Sequence, residues 1–209
     1  MAHKGGRAEG RRGGTRLAVL CALLLTANVS RLTAQAWQPI SMAGIQRVSV
    51  KVDSVFIDRQ APEFTVGGGD WVSYLAARLG AVPIPEPSGI QVAVDTAKIL
   101  VTGKMSDLPR DTWSLLGPVA MLVNPDTKLE AEVVMAPTGP GAVRFVLTTI
   151  RVGGMTIPES LLSQFLAQVG QRYPVLGKSG RELLVGVPVD GHVALVQDGV
   201  RLWVDKPGN

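Results

Sequence analysis

The chain has 209 residues and a formal net charge of +4, from 21 basic and 17 acidic side chains. Residues 1–36 hold six of the basic residues and one of the acidic ones, so 15 basic and 16 acidic residues remain after position 36. This balance gives no reason to expect nucleic acid as a partner, and 173 residues are enough for one domain with an ordinary apolar core.

Residues 1–36 have the three consecutive parts of a signal peptide. A basic stretch ends at Arg16, and residues 17–29 form a mostly apolar run of 13 residues. This run is shorter than the roughly 20 residues that span a bilayer. Residues 34–36 (Ala-Gln-Ala) then match the small-x-small pattern that signal peptidase accepts. We expect an exported protein with a single α+β domain over residues 37–209. The alternative is an uncleaved N-terminal anchor.

Several kinds of catalytic and metal site lack the residues that they need. The sole cysteine, Cys21, lies within the signal segment, and His192 is the only histidine after residue 36. One histidine without a cysteine does not make a zinc site or a catalytic triad. The carboxylates are scattered singly, without the clusters that calcium loops contain. The sequence therefore predicts no enzyme, no cofactor and no metal. An enzyme with an unrecognised site, such as a glycosidase that uses two of the scattered carboxylates, stays open as an alternative.

The first half of the domain reads as a strand, a helix and a strand pair. Alternating valines over residues 47–58 predict one long strand with a bulge near Asp53. Asp70 is expected to cap a helix that carries Trp71, Leu75 and Leu79 at helical spacing and ends at Gly80. The proline-rich residues 82–89 predict an extended loop, and residues 90–101 predict a strand pair or one long bent strand.

The second half reads as two strands, a helix and a hairpin. Residues 129–135 and 143–152 alternate as strands, and a glycine turn follows at residues 153–154. Pro158 then begins the clearest amphipathic helix, which runs to Tyr173. Strands over residues 193–197 and 200–204 flank Asp198-Gly199, a typical two-residue hairpin turn.

Residues 107–125 are apolar but broken by Gly117 and Pro118. Trp113 lies near the middle of a possible short helix there. Three interpretations stay open for this segment: a loop that packs on the core, an apolar flap over a groove, and a tip that touches a membrane.

From the end of one strand to the last hairpin, the order of motifs resembles the C-terminal half of a known family. A Val-Gly-Gly turn at residues 152–154 is followed by Ile157-Pro158, the amphipathic helix, Val187-Pro188-Val189 and the closing hairpin. This order resembles the LmeA-like phospholipid-binding proteins of bacterial envelopes and related tubular lipid-binding (TULIP-like) domains, most clearly over residues 143–204. The resemblance implies a curved antiparallel sheet that wraps around two amphipathic helices, with acyl chains in the seam between sheet and helix. It also implies a place in the periplasm or cell envelope of a bacterium.

If the resemblance holds, the ligand is a phospholipid or another apolar molecule, and contact with a membrane surface is possible. The residues expected to line the groove come from both helices and from the apolar segment: Leu75, Leu79, Trp113, Leu162, Phe165, Leu166 and Val169. Each of them could equally be an ordinary core residue, because cores and grooves are lined by the same residue types. The alternative function is a non-enzymatic structural or protein-interaction module of the cell envelope.

Overall fold

A computed structural model of the protein describes residues 36–108 and 124–205, apart from the side chain of Arg172. These residues form an α+β fold with mostly antiparallel sheets, as the sequence predicts. The helices are α1 (Met42–Val52), α2 (Gly68–Arg78) and α3 (Glu159–Arg172). The strands are β1 (Gln38–Pro39), β2 (Glu63–Gly67), β3 (Gln91–Val94), β4 (Lys98–Lys104), β5 (Lys128–Ala136), β6 (Ala142–Val152), β7 (Met155–Thr156), β8 (Glu182–Gly186), β9 (Gly191–Val196) and β10 (Gly199–Val204).

The strands are arranged in two sheets. The larger sheet has the order β1-β3-β4-β5-β6, and both β7 and β8 pair with the far side of β6. The smaller sheet has the order β2-β10-β9. The predicted strand pair β3–β4, the strands β5 and β6 and the closing hairpin β9–β10 are all confirmed. Strands β2 and β8 were not predicted.

A β-bulge lies in β6 at Thr148. Glu132 faces Thr149, whereas the next residue, Val133, faces Leu147, so Thr148 is left over. The Thr148 hydroxyl donates a hydrogen bond to the Glu132 carbonyl oxygen over 3.1 Å. Because of the extra residue, Leu147 and Ile150 point to the same side of the sheet, and a bulge of this kind also bends the strand.

The predicted strand over residues 47–58 is wrong, because the chain there is helical. Helix α1 is followed directly by a π-helical turn, Asp53–Ile57. Ser41 caps α1, and its hydroxyl accepts a hydrogen bond from the Gly44 N–H over 3.0 Å. Val48 and Val55, seven residues apart and therefore on one helix face, are completely buried. The helical spacing was not recognised because Val48, Val50 and Val52 also alternate as in a strand.

Helix α2 is confirmed, but its predicted cap is wrong. The helix begins at Gly68 with Gly67 as its cap, and Asp70 lies in the first turn. A Cβ atom on Gly68 would lie 2.4 Å from the Val94 side chain, and one on Gly69 would lie 2.5 Å from the Pro39 carbonyl oxygen. The glycines therefore belong to the helix and allow its first turn to approach β3 and β1 closely.

The hairpin turn is displaced by one residue from the predicted position. Gly199 already pairs with Val196, so the turn residues are Gln197 and Asp198, and Asp198 has a φ of +62°. Gln38 of β1 holds this turn, since its amide group donates to the Asp198 carbonyl oxygen over 3.0 Å. The same Gln38 side chain accepts a hydrogen bond from the Gly69 N–H over 3.1 Å. One residue thus joins β1, α2 and the last hairpin.

The main core lies between helices α1 and α2, the small sheet and part of the large sheet. Trp71 of α2 is buried there with its ring centroid 6.0 Å from that of Phe145 in β6. The small sheet contributes one face of its hairpin, and Val193 and Leu195 of β9 lie opposite Leu202 and Val200 of β10. The apolar segment that contains Trp113 lies outside the described residues over positions 109–123.

Candidate functional site

An apolar cavity of about 170 Å³ lies between the large sheet and the beginning of α3. Strand β4 contributes Val101, β5 contributes Ala131, and β6 contributes Ile150 to its wall. Phe165 of α3 lies on its wall as well. Other apolar residues of the wall are Ile90, Met105, Leu108, Leu129, Val152 and Ile157.

The register of the sheet explains why these residues meet. Val101 faces Ala131, and Ala131 faces Ile150, so the three side chains form one row across β4, β5 and β6. Leu129 and Val152 form the neighbouring row, and Gly103 takes the place of a side chain in β4. The small side chain of Ala131 leaves room above the sheet, whereas the place of a side chain at Gly103 is taken by Ile90, whose Cγ1 atom would lie 3.3 Å from a Cβ atom added there.

The rows on the other side of the bulge belong to the main core instead. Ile99 faces both Val94 and Val133, and Val133 faces Leu147. Ile99 and Val94 are buried in the main core, and Val133 packs against it. One face of the large sheet therefore has a packed core at one end and a cavity at the other, and Val101, which faces the core residue Val92 and also lines the cavity, lies at the boundary.

The structure separates the residues expected to bind a ligand. Phe165 lines the cavity, and Leu162 and Leu166 of the same helix are buried outside the main core cluster. Val169, the fourth predicted residue of α3, is half-buried. Leu75 of α2 is buried within the main core, and Leu79 packs against that core. Trp113 lies outside the described residues.

Two glycines hold helix α3 closely against the loop that follows it. Gly180 has a φ of +66°, and a Cβ atom there would lie only 1.7 Å from the Leu166 carbonyl oxygen. A Cβ atom on Gly170 would lie 2.8 Å from the Gly180 nitrogen. The loop after α3 therefore packs backbone against backbone on the helix, which only glycine permits.

An ion pair also fastens the beginning of α3. Arg181 contacts the Glu159 carboxylate over 2.5 Å and donates to the Ser163 hydroxyl over 3.1 Å. The hydrogen bond from Arg181 lowers the pKa of Glu159. Contacts at both ends of α3 thus hold Phe165 over the sheet.

The two charged residues at the cavity wall, Lys104 and Glu130, form ion pairs with residues outside the cavity. Lys104 contacts Asp126 over 2.9 Å, a hydrogen bond that raises the pKa of Lys104, and Glu130 contacts Lys128 over 2.6 Å. The Met105 N–H donates to the Thr127 carbonyl oxygen over 3.0 Å nearby. The cavity wall is therefore left almost entirely to carbon atoms, which suits an apolar ligand.

The opposite face of the large sheet carries a charged network. Glu132 contacts Lys98 over 3.1 Å and Arg151 over 2.7 Å. The hydrogen bonds from Lys98 and then from Arg151 lower the pKa of Glu132. The carboxylate therefore joins β4, β5 and β6 on the side away from the cavity.

His192 lies on the outer face of the small sheet. Its Nε2 atom is 2.9 Å from a carboxylate oxygen of Asp205, and its ring stacks on Trp203 with centroids 5.0 Å apart. Within residues 36–108 and 124–205, no group of three or more His, Cys, Asp or Glu residues could hold a metal ion. No helix in the same ranges is long and apolar enough to cross a membrane.

The sequence interpretation named the helix side of the cavity but not the strand side. Val101, Ala131 and Ile150 were recognised only as strand residues, because their meeting depends on the strand register. The alternation within β4 and β5, together with the phase shift in β6, is the signal that could have identified them. Comparison of the chain with protein-family models, curated proteins and solved structures finds no match.

Proposed function

We propose that this protein is an exported, non-catalytic binding protein that takes the hydrocarbon part of a lipid, or a similar apolar group, into the cavity between the large sheet and α3. The observation that carries the proposal is the apolar wall of that cavity, where Val101, Ala131 and Ile150 face Phe165. A ligand with polar atoms in this space would lose hydrogen bonds to water without replacement, whereas a hydrocarbon loses none.

The size of the cavity limits what part of a ligand enters it. Its volume is about 170 Å³, and apolar protein cavities of about 150 Å³ accept benzene. A benzene-sized group of about six carbons gains about 5 kcal/mol on leaving water, at about 0.8 kcal/mol per carbon. Such a gain corresponds to a Kd of about 0.2 mM before other costs. The rest of a tightly bound lipid must therefore contact the protein outside the cavity.

Two features of the sequence support the same proposal. The signal-like residues 1–36 are consistent with an envelope protein, and residues 143–204 resemble the LmeA-like phospholipid-binding family. Helix α3, strands β7 to β10 and all of β6 except Ala142 fall within that range. The proposal includes the curved sheet around helices that the resemblance implies. It also includes cleavage after Ala36, so N-terminal sequencing of the exported protein should begin at Trp37.

Filling the cavity tests the proposed site. Ala131→Leu adds three carbons to the middle of the wall, and we expect it to weaken binding of the apolar fluorophore N-phenyl-1-naphthylamine at least tenfold. Ala194→Leu is the matched control, because Ala194 lies on β9 of the small sheet and the same carbons are added away from the cavity. Fluorescence titration measures both affinities, and thermal unfolding checks that both variants fold.

Native mass spectrometry of the protein purified from envelope extracts tests the natural ligand. We expect a bound lipid that is retained by Ala194→Leu and lost by Ala131→Leu. Equal retention of lipid and fluorophore by both variants would show that binding takes place elsewhere. Purification without any lipid, together with no fluorophore binding, would contradict the proposed function itself.

A further inference from the structure

One wall residue of the cavity, Ile90, lies over a position where the sheet has no side chain. Ile90 directly precedes β3, and it lines the cavity together with Gly103 of β4. Val92 faces Val101, so Ile90, two residues earlier, comes opposite Gly103 when the antiparallel register is continued. A Cβ atom on Gly103 would lie 3.3 Å from the Ile90 Cγ1 atom. The Ile90 side chain therefore fills the space over Gly103 that β4 leaves open.

The backbone of Ile90 is held in place by its neighbours. Its carbonyl oxygen accepts a hydrogen bond from the Ile40 N–H over 3.3 Å, and its N–H donates to the Ser88 hydroxyl over 3.2 Å. A Cβ atom on the preceding residue, Gly89, would overlap the Asp107 carboxylate, so glycine allows the chain to lie directly on that group. Because the backbone is fixed and a β-branched side chain has few rotamers, Ile90 forms a rigid part of the wall.

Ile90 also lies between the cavity and the main core. Its side chain lines the cavity and packs against the main core cluster. Among the described residues, Val101 is the other one that does both. Val101 belongs to the sheet itself, whereas Ile90 comes from the segment before β3. A shorter side chain at position 90 would therefore extend the cavity over Gly103 without removing any residue of the sheet.

We propose that Ile90 sets the length of the hydrocarbon chain that the cavity accepts, a role that rests on the proposed function. The carbon atoms of the ligand lie over Ala131, and the chain stops where the Ile90 side chain begins. In the wild-type protein this leaves room for about six carbons, the size of benzene. Ile90→Ala removes three carbon atoms, and the freed space adjoins the cavity because Gly103 already lines it. The variant should therefore hold about nine carbons.

A series of straight-chain 1-alkanols from butanol to dodecanol tests this role. Displacement of N-phenyl-1-naphthylamine gives the affinity for each alkanol. For the wild-type protein we expect the affinity to rise about fourfold per carbon up to about six carbons and then to level off. For Ile90→Ala the rise should continue to about nine carbons, so decanol should bind about 60-fold more tightly than to the wild type. Ile90→Val removes one carbon and should gain about fourfold.

Ile84→Ala and Ile84→Val are the matched controls. Ile84 lies in the same segment between α2 and β3, but it is buried in the main core and is not part of the cavity wall. The same carbons are removed at both positions, and the Ile84 variants should level off at the wild-type length. Thermal unfolding checks that each variant folds, and the two valine variants give the same comparison with the smallest loss of packing.

The outcomes separate this inference from the proposed function. If the affinity levels off at the same length in the wild type and in both Ile90 variants, while Ala131→Leu still weakens binding, the role of Ile90 is overturned and the binding function stands. An equal shift in the Ile84 variants would overturn the role of Ile90 as well. A wild-type protein that binds neither the alkanols nor the fluorophore would contradict the proposed function and this inference together.

Discussion

The two ends of one sheet face contrast in how they are covered. On one side of the bulge in β6, Val94 and Ile99 are buried in the main core under helices α1 and α2. On the other side, Val101, Ala131 and Ile150 face a cavity below Phe165. The residue types are nearly the same at both ends. The difference comes from what lies above the sheet, namely a pair of closely packed helices at one end and the single helix α3 at the other.

This contrast shows that an apolar surface becomes a core or a site according to the elements that cover it. Helices α1 and α2 approach each other closely at Gly44, where a Cβ atom would lie 2.8 Å from Asp70. Arg47 and Asp70 also join them through an ion pair of 2.6 Å. Helix α3 instead makes its closest contacts with its own following loop, at Gly170 and Gly180. Contacts with this loop therefore fix the position of α3 although its side chains do not fill the cavity between the helix and the sheet.

The largest expected effect comes from breaking the attachment of α3. Gly180→Ala places a Cβ atom on the Leu166 carbonyl and forces a positive φ on alanine, and we expect a loss of about 4 kcal/mol in the free energy of unfolding. Gly177→Ala is the control. Gly177 has a φ of +65° and a ψ of 176° but no neighbour within 4 Å, so its replacement should cost only the backbone strain, about 2 kcal/mol. Urea unfolding measures both. Equal costs would show that α3 is not held by this contact.

The next largest effect is expected when a side chain is shortened to alanine in the main core or beside the cavity, because the two losses in the free energy of unfolding should differ. Leu202→Ala removes a fully buried side chain of the main core and should cost about 3 kcal/mol. Phe165→Ala removes a larger but half-buried ring beside the cavity. Because this ring already borders empty space, we expect about half that cost, measured by urea unfolding. A larger cost for Phe165→Ala would mean that the cavity end is packed as densely as the core.

Adding the same carbons at two sites of the large sheet should have opposite effects on stability. Ala93 of β3 is buried, so Ala93→Leu must displace its neighbours and should cost about 2 kcal/mol. Ala131→Leu enters the cavity and should leave the stability unchanged or raise it by up to about 1 kcal/mol. Thermal unfolding compares the two variants. Ala93 lies on the opposite face of the sheet from Val94, so equal destabilisation would show that Ala131 has no more free space beside it than a buried alanine elsewhere in the sheet.

The smallest expected effect concerns the charged network on the opposite face. Glu132 has a lowered pKa in the folded protein, so its stabilising contribution is complete above the unfolded-state pKa of about 4.3 and is lost as the pH falls through the folded value. Glu132→Gln should therefore cost about 1 kcal/mol at pH 7 and almost nothing at about pH 2. Glu130→Gln, which affects the exposed pair with Lys128, should cost less. Urea unfolding at both pH values tests this.

The sequence predicted most elements because their local signals were unambiguous. Pro158 and the stripe of α3, the alternation in β5 and the Asp-Gly pair of the last hairpin each favour one structure. The sequence-based prediction failed where the two-residue period of a strand and the 3.6-residue period of a helix both fitted the same residues. Residues 47–58 and β6 both show alternation with a phase shift, but the shift marks a helix in the first case and a real bulge at Thr148 in the second. In residues 47–58, Val48 and Val55 share a helix face, but this spacing favours a helix over a strand only when the packing of the domain is known.

The candidate site was less predictable than the fold. Phe165 was named from the helix stripe, but Leu75 was named with it although it lies in the main core. Both sit at equivalent positions of amphipathic helices, and only the tertiary arrangement separates them. Strand β8 was missed because it has only five residues, of which two, Leu183 and Val185, are buried, and this pattern is too short to recognise.

The pairing of β2 with β10 has a consequence for how the chain folds. Gly67 lies opposite Gly199, and Gln38 reaches the turn at Asp198, so sequence separations of about 130 to 160 residues must be closed before either N-terminal element is secured. Contacts of this range slow folding, because the entropy of closing a long loop is lost before the contacts form. Strand β2, which among the described strands pairs only with β10, must therefore wait for the last strand of the domain to be synthesised before it can join a sheet.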